Sequence, residues 1–91
     1  FVCGQNVRLM PIYKEAIYGS ATISILLNRY DDALYDLARV IEFDSCFGPA
    51  YYSAGKIFFK VENFDEACTQ FINASKCGVL EADSIISKHC K

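Results

Sequence analysis

Apolar and small residues recur every three or four places along most of this chain, and short polar clusters interrupt the rhythm. After Pro49, a residue tolerated in the first turn of a helix, Tyr51, Ala54, Gly55, Phe58 and Val61 follow at steps of three, one, three and three. That is the period of a helix, not the alternation of a strand. Glu62-Asn63 breaks the pattern. Phe64, Ala67, Cys68, Phe71, Ala74 and Ser75 then resume it until Cys77-Gly78, where glycine is a suitable helix stop. Upstream, Pro11 opens a helix carrying Ile17, Ser20, Ala21, Ser24 and Leu27, and Asn28-Arg29 interrupts it. Tyr30, Ala33, Leu34, Leu37, Val40 and Ile41 form the stripe of the next helix, which ends near Asp44-Ser45. A last stretch from Leu80 to His89 sets Leu80, Ile85 and Ile86 against Glu81, Asp83 and Lys88, the pattern of a short capping helix. Before Pro11 the rhythm fails, and Cys3-Gly4-Gln5-Asn6 predicts a loop.

The stripes repeat one another. An offset of 34 residues pairs Tyr30 with Phe64, Asp31 with Asp65, Asp32 with Glu66, Ala33 with Ala67 and Leu37 with Phe71. The same offset pairs Ile17 with Tyr51, Tyr18 with Tyr52, Ser20 with Ala54 and Ala21 with Gly55. Pairs of helices repeating at this period cannot bury their faces alone and stack on their neighbours. The predicted fold is therefore all-α, about five helices in antiparallel hairpin repeats forming an α-solenoid. Its parts are an irregular lead-in over 1–10, repeats over 11–45 and 46–79, and a capping helix over 80–91. Ala21 and Gly55 are expected to face Ala33 and Ala67, where small side chains allow close approach.

The stretch AYYSAGKIFFKVENFDEACTQFINASKCG, residues 50–78, resembles a tetratricopeptide repeat through Tyr51, Ala54, Gly55, Phe58, Phe64, Ala67, Phe71 and Ala74. The copy at 16–44 is similar, with Ser24 in place of an aromatic and Val40 in place of the last alanine; together the two cover about two-thirds of the chain. The resemblance implies a module that binds a protein or peptide in a concave groove lined by the first helix of each pair. On that arrangement the first copy presents Tyr18, Thr22, Ile25 and Leu26, and the second Tyr52, Ser53, Lys56, Phe59 and Lys60, with Ile86 and Ser87 added by the capping helix. An aromatic groove with two lysines one turn apart suits a hydrophobic or mildly acidic segment. Repeats of this family that clamp the carboxylate of Hsp70 and Hsp90 tails use Asn, Lys and Arg. Here those positions carry Gly19, Pro49 and Ser53, so that clamp is not expected. The resemblance leaves two alternatives: a self-associating scaffold, since two copies are short of the three usual for a stable solenoid, and a chaperone of the type III secretion kind.

Composition narrows the remaining classes. With 91 residues, 53% apolar and 22% charged, the chain can fold but builds only a small core. A net charge of −2 argues against binding to a phosphate backbone, which needs clustered Lys and Arg. No 18-residue apolar run predicts a membrane span. The chain begins at Phe1 with no basic leader, and it reads as a segment of a longer intracellular protein. Cys3, Cys46, Cys68, Cys77 and Cys90 contain no CxxC pair and no zinc-site spacing. They read as reduced structural thiols, which points to a reducing cytoplasmic compartment.

Candidate chemistry is sparse. The paired acids Asp31-Asp32 and Asp65-Glu66 fall in the first turn of each second helix, where negative charge complements the helix dipole by about 0.3–1 kcal/mol. They mark helix starts, not a doubled carboxylate site. His89, the sole histidine, sits in the C-terminal tail and has no nucleophile arranged around it. The glycines are scattered singly and form no phosphate-binding loop. Asn73-Ala74-Ser75 matches a glycosylation acceptor but lies within a predicted helix of an intracellular segment. The chain is expected to be neither an enzyme nor a carrier of a cofactor or metal.

Overall fold

The computed structural model describes residues 3–90, with side chains from residue 14 onward. Five helices follow in order: α1 (Cys3–Leu26), α2 (Tyr30–Phe43), α3 (Gly48–Lys60), α4 (Phe64–Lys76) and α5 (Glu81–His89). No strand occurs among the described residues, and the fold is all-α. Each helix packs against the next in the chain, α1 on α2, α2 on α3, α3 on α4 and α4 on α5. Connections of only a few residues make successive helices antiparallel, so α1–α2 and α3–α4 are hairpins and α5 closes the far end. Among the described residues no helix is long and apolar enough to cross a membrane.

The hairpins turn by the same device. Asn28 and Glu62, 34 positions apart, have φ of 62° and 66°, and Gly78 has φ of 98°. At each, the next residue reaches back five places: Arg29 N to Ser24 O (2.8 Å), Asn63 N to Phe58 O (2.9 Å) and Val79 N to Ala74 O (3.0 Å). These are Schellman caps, which satisfy the orphan carbonyls of a helix end through one left-handed residue. Glycine adopts that conformation freely and asparagine tolerates it, whereas Glu62 carries a steric cost of about 1–2 kcal/mol. The polar breaks expected at Asn28-Arg29 and Glu62-Asn63 are thus chain reversals.

Two clusters make the core. Ile17, Ala21, Ala33, Leu37, Val40, Ala50, Ala54 and Ile57 join α1, α2 and α3, while Ala67, Phe71, Ala74 and Ala82 join α4 to α5. Phe58 packs on both. The α2 and α4 stripes are buried as their periodicity predicts, through Ala33, Leu37 and Val40 and through Ala67, Phe71 and Ala74. The small residue at Gly55 is required by a further neighbour. A Cβ on Gly55 would lie 2.7 Å from the Phe71 ring, so the phenylalanine leaves no room for a larger residue there. Leu27, Val61 and Leu80, placed in the stripes by spacing, are exposed because each lies just beyond the end of a helix. The cap is instead anchored by Ala82, which is fully buried.

Two expectations are corrected here. Helical backbone begins at Cys3, so residues 3–10 are not an irregular lead-in and Pro11 does not open the helix. Cys3-Gly4-Gln5-Asn6 carries no apolar period, and spacing detects only helices that do. The cysteines are not all reduced. Cys46 is bonded to Cys77 and Cys68 to Cys90, with Cα separations of 5.3 and 5.6 Å. Cys46 precedes α3 and Cys77 follows α4, so the first bond closes the open end of that hairpin. The second fastens the end of α5 to the middle of α4. The side chain of Cys3 lies outside the described residues.

Candidate peptide-binding groove

A groove of about 280 Å³ runs between α1 and α3. One wall is Tyr18, Thr22, Ile25 and Leu26, the other Ser53, Lys56, Ile57 and Lys60, and Tyr30 closes the end at the α1–α2 turn. Of the residues expected to line a groove, the structure therefore brings together Tyr18, Thr22, Ile25, Leu26, Ser53, Lys56 and Lys60. Tyr30 and Ile57 were not foreseen there. Spacing marked Tyr30 as a helix start, and Ile57 is a core residue whose edge forms the groove floor. The volume lies at the lower limit for small-molecule pockets, large enough for anchoring side chains but not for a bulky cofactor.

Tyr52 and Phe59 lie elsewhere. Tyr52 packs its ring edge-on against Phe71 at 5.7 Å, and Phe59 packs against Phe64 at 5.2 Å and His89 at 5.0 Å. Each is one residue short of, or past, a groove position, about 100° around the helix axis, and turns toward α4 and α5. Ile86 packs into the α4–α5 cluster, and Ser87 is exposed on α5. His89 is consequently not on a loose tail. Tyr52 instead lines a second cleft with Pro49, Cys77, Gly78, Val79, Glu81 and Tyr18, so Tyr18 forms the ridge between the two hollows.

The groove walls are held by polar contacts. The Tyr18 and Ser53 hydroxyls, 3.1 Å apart, tie α1 to α3 and satisfy the only buried polar residue among the described ones. Thr22 donates its hydroxyl to the Tyr18 carbonyl (3.0 Å), and Tyr30 donates to Asn28 Oδ1 (3.0 Å). Neither hydroxyl proton is free for a ligand. The Tyr18 ring meets Phe47 edge-on at 5.3 Å, and Lys14 Nζ stands 4.6 Å over that phenylalanine. Lys14 also donates to Asp44 Oδ2 at 2.9 Å, which fixes the α2–α3 turn to α1.

That hydrogen bond from Lys14, with a second from the Cys46 backbone N–H and the lysine's positive charge, holds the Asp44 carboxyl below the ordinary value of 3.8. A carboxyl depressed in the folded state contributes stability above its unfolded pKa and loses it as pH falls through the lower folded value. Lys14→Met is therefore expected to lower the melting temperature near neutral pH. The gap from the unsubstituted protein should narrow below about pH 4, as thermal melts across a pH series would record.

Charge on the groove is of one sign. Among its lining residues only Lys56 and Lys60 are ionised, and both are exposed. Lys56 Nζ lies 5.2 Å over the Tyr52 ring, so it spans the ridge between the two hollows. The paired acids are not among its lining residues and lie in the first turns of α2 and α4. No three His, Cys, Asp or Glu side chains come together as a metal site among the described residues. No protein-family model matches this chain, and no curated protein matches its sequence.

Proposed function

We propose that the chain is a tetratricopeptide-like binding module that holds an apolar segment flanked by acidic residues in the groove between α1 and α3. The observation that carries this reading is the juxtaposition of apolar lining residues, Ile25, Leu26 and Ile57, with two unopposed lysines on a protein of net charge −2. An acidic ligand meets local attraction there, which favours association rate and orientation. Tyr18 and Tyr30 supply rigid anchoring surface at low entropic cost. The role is binding rather than catalysis: the one histidine packs its ring against Phe59 and has no nucleophile beside it.

The two disulfides bear on where such a module works. Bonds of this kind persist in oxidising compartments and are rare in the cytosol, so the proposed setting is an oxidising compartment, in place of the reducing one that cysteine spacing suggested. Selection from a random peptide library displayed on phage tests the binding reading. The expected result is enrichment of apolar sequences bordered by Asp or Glu; enrichment of basic sequences, or of none, would sink it.

A further inference from the structure

One motif of the sequence has no part in the groove. Asn73-Ala74-Ser75 is the only Asn-X-Ser/Thr triplet in the chain, since the residues two places after Asn6, Asn28 and Asn63 are Arg8, Tyr30 and Asp65. Such a triplet accepts an N-linked oligosaccharide if the chain enters a compartment that attaches one. The sequence gives two grounds against it, a reducing setting and a position within a helix. The first falls with the Cys46–Cys77 and Cys68–Cys90 bonds, which belong to oxidising compartments.

The second is decided by what surrounds Asn73. It lies one turn before the end of α4 and is half-buried. Its neighbours on the helix surface, four places before and three after, are Thr69 and Lys76, both exposed, and the adjacent Ile72 is 40% exposed. The side chain therefore stands at the edge of the open face of α4. Among the described residues nothing hydrogen-bonds to the Asn73 carboxamide, so a sugar on Nδ2 displaces no internal bond. The groove between α1 and α3 takes no lining residue from α4, and a glycan at Asn73 leaves it open.

The rest of the triplet is closed in the folded chain. Ala74 is fully buried, and Ser75 donates its hydroxyl to Asp83 of α5. A transferase that reads the serine hydroxyl together with the asparagine reaches both only before α5 docks on α4.

We infer that Asn73 is an N-glycosylation site, filled before the chain folds. This rests on the oxidising setting proposed for the module. The donor is an oligosaccharide linked to a polyprenyl diphosphate. Asn73 Nδ2 forms a bond to the anomeric carbon of the first sugar and gives its proton to a base of the transferase. The bond from that carbon to the phosphate oxygen breaks, and the polyprenyl diphosphate leaves with the electron pair.

The test is to secrete the chain from a eukaryotic cell line behind a cleavable leader and to measure its intact mass before and after peptide N-glycosidase. The unsubstituted chain is expected to carry one oligosaccharide, whose release converts Asn73 to aspartate. Asn73→Gln and Ser75→Ala should each lose it completely, and Ser75→Thr should keep it. Samples taken from whole cells in denaturant give the same reading for a variant that fails to fold, because attachment comes first. An unsubstituted chain without sugar would overturn the inference, as would a glycan that survives Asn73→Gln. Alkylation of the same secreted chain separates the two readings. Paired cysteines without sugar would sink the site and leave the oxidising setting standing, whereas free thiols at Cys46, Cys68, Cys77 and Cys90 would remove the setting and the site with it.

Discussion

Phe71→Ala is expected to destabilise the protein by about 3–5 kcal/mol, the range for emptying a buried phenylalanine site. Phe71 is among the largest fully buried side chains and belongs to the small cluster that fastens α4 to α5. Its ring sits over Gly55, where no side chain exists to swing into the space, and the edge of Tyr52 stands 5.7 Å from it. The other buried members of that cluster are Ala67, Ala74 and Ala82, which have no rotamers with which to refill a cavity. The loss would remove a large share of the total stability of a small domain, typically about 5–15 kcal/mol. Urea unfolding followed by circular dichroism measures it, and a change under about 1 kcal/mol would show that Phe71 does not pin α3, α4 and α5 together.

Removing the Cys46–Cys77 bond by paired serine substitutions should cost about 2–4 kcal/mol, mainly by freeing the unfolded chain. The bond spans 31 residues and closes the one end of the α3–α4 hairpin that has no turn. The Cys68–Cys90 loop, 22 residues apart in sequence, overlaps it between residues 68 and 77, so the two losses will not be additive. Adding a reductant to the intact protein should lower its melting temperature by more than about 10 °C. Coincident melts with and without reductant, or alkylation of all five cysteines in the native protein, would rule out these bonds in solution.

Much of this arrangement is readable from residue order. The stripes Ala33, Leu37, Val40 and Ala67, Phe71, Ala74 follow helical spacing because each is pressed between neighbouring helices, and burial imposes its period on composition. The same logic reaches most of the groove: Tyr18, Thr22, Ile25 and Leu26 share one face of α1, and Ser53, Lys56 and Lys60 one face of α3. It stops at Tyr52 and Phe59, aromatic neighbours of groove positions whose rings go to Phe71, Phe64 and His89. An aromatic on the edge of a stripe can serve either side, and only the position of α4 and α5 decides which. Tyr52→Ala is for that reason a poor probe of ligand binding, since it disturbs the packing of Phe71.

Cysteine pairing was illegible for a related reason. Local spacing detects metal knuckles and redox motifs, whereas Cys46 and Cys77 meet only because a whole hairpin lies between them. The start of α1 was not legible because Cys3-Gly4-Gln5-Asn6 shows no apolar period for spacing to detect. The turn positions Asn28 and Glu62 were visible as polar interruptions, but the left-handed backbone that gives them their function depends on the cap geometry.

On the proposed function, α1 and α3 hold an acidic, apolar segment through Lys56 and Lys60, beside Ile25 and Ile57. Its most direct test is the affinity, by fluorescence anisotropy, of the phage-selected peptide for the unsubstituted protein and for Lys56→Glu/Lys60→Glu, at low and high salt. The expected outcome is at least about a tenfold weakening at low salt, worth about 1.4 kcal/mol, that shrinks as salt screens the charges. The melting temperature should barely change, because both lysines are exposed. Equal affinity of the two proteins for the peptide at low salt would show that Lys56 and Lys60 do not hold it.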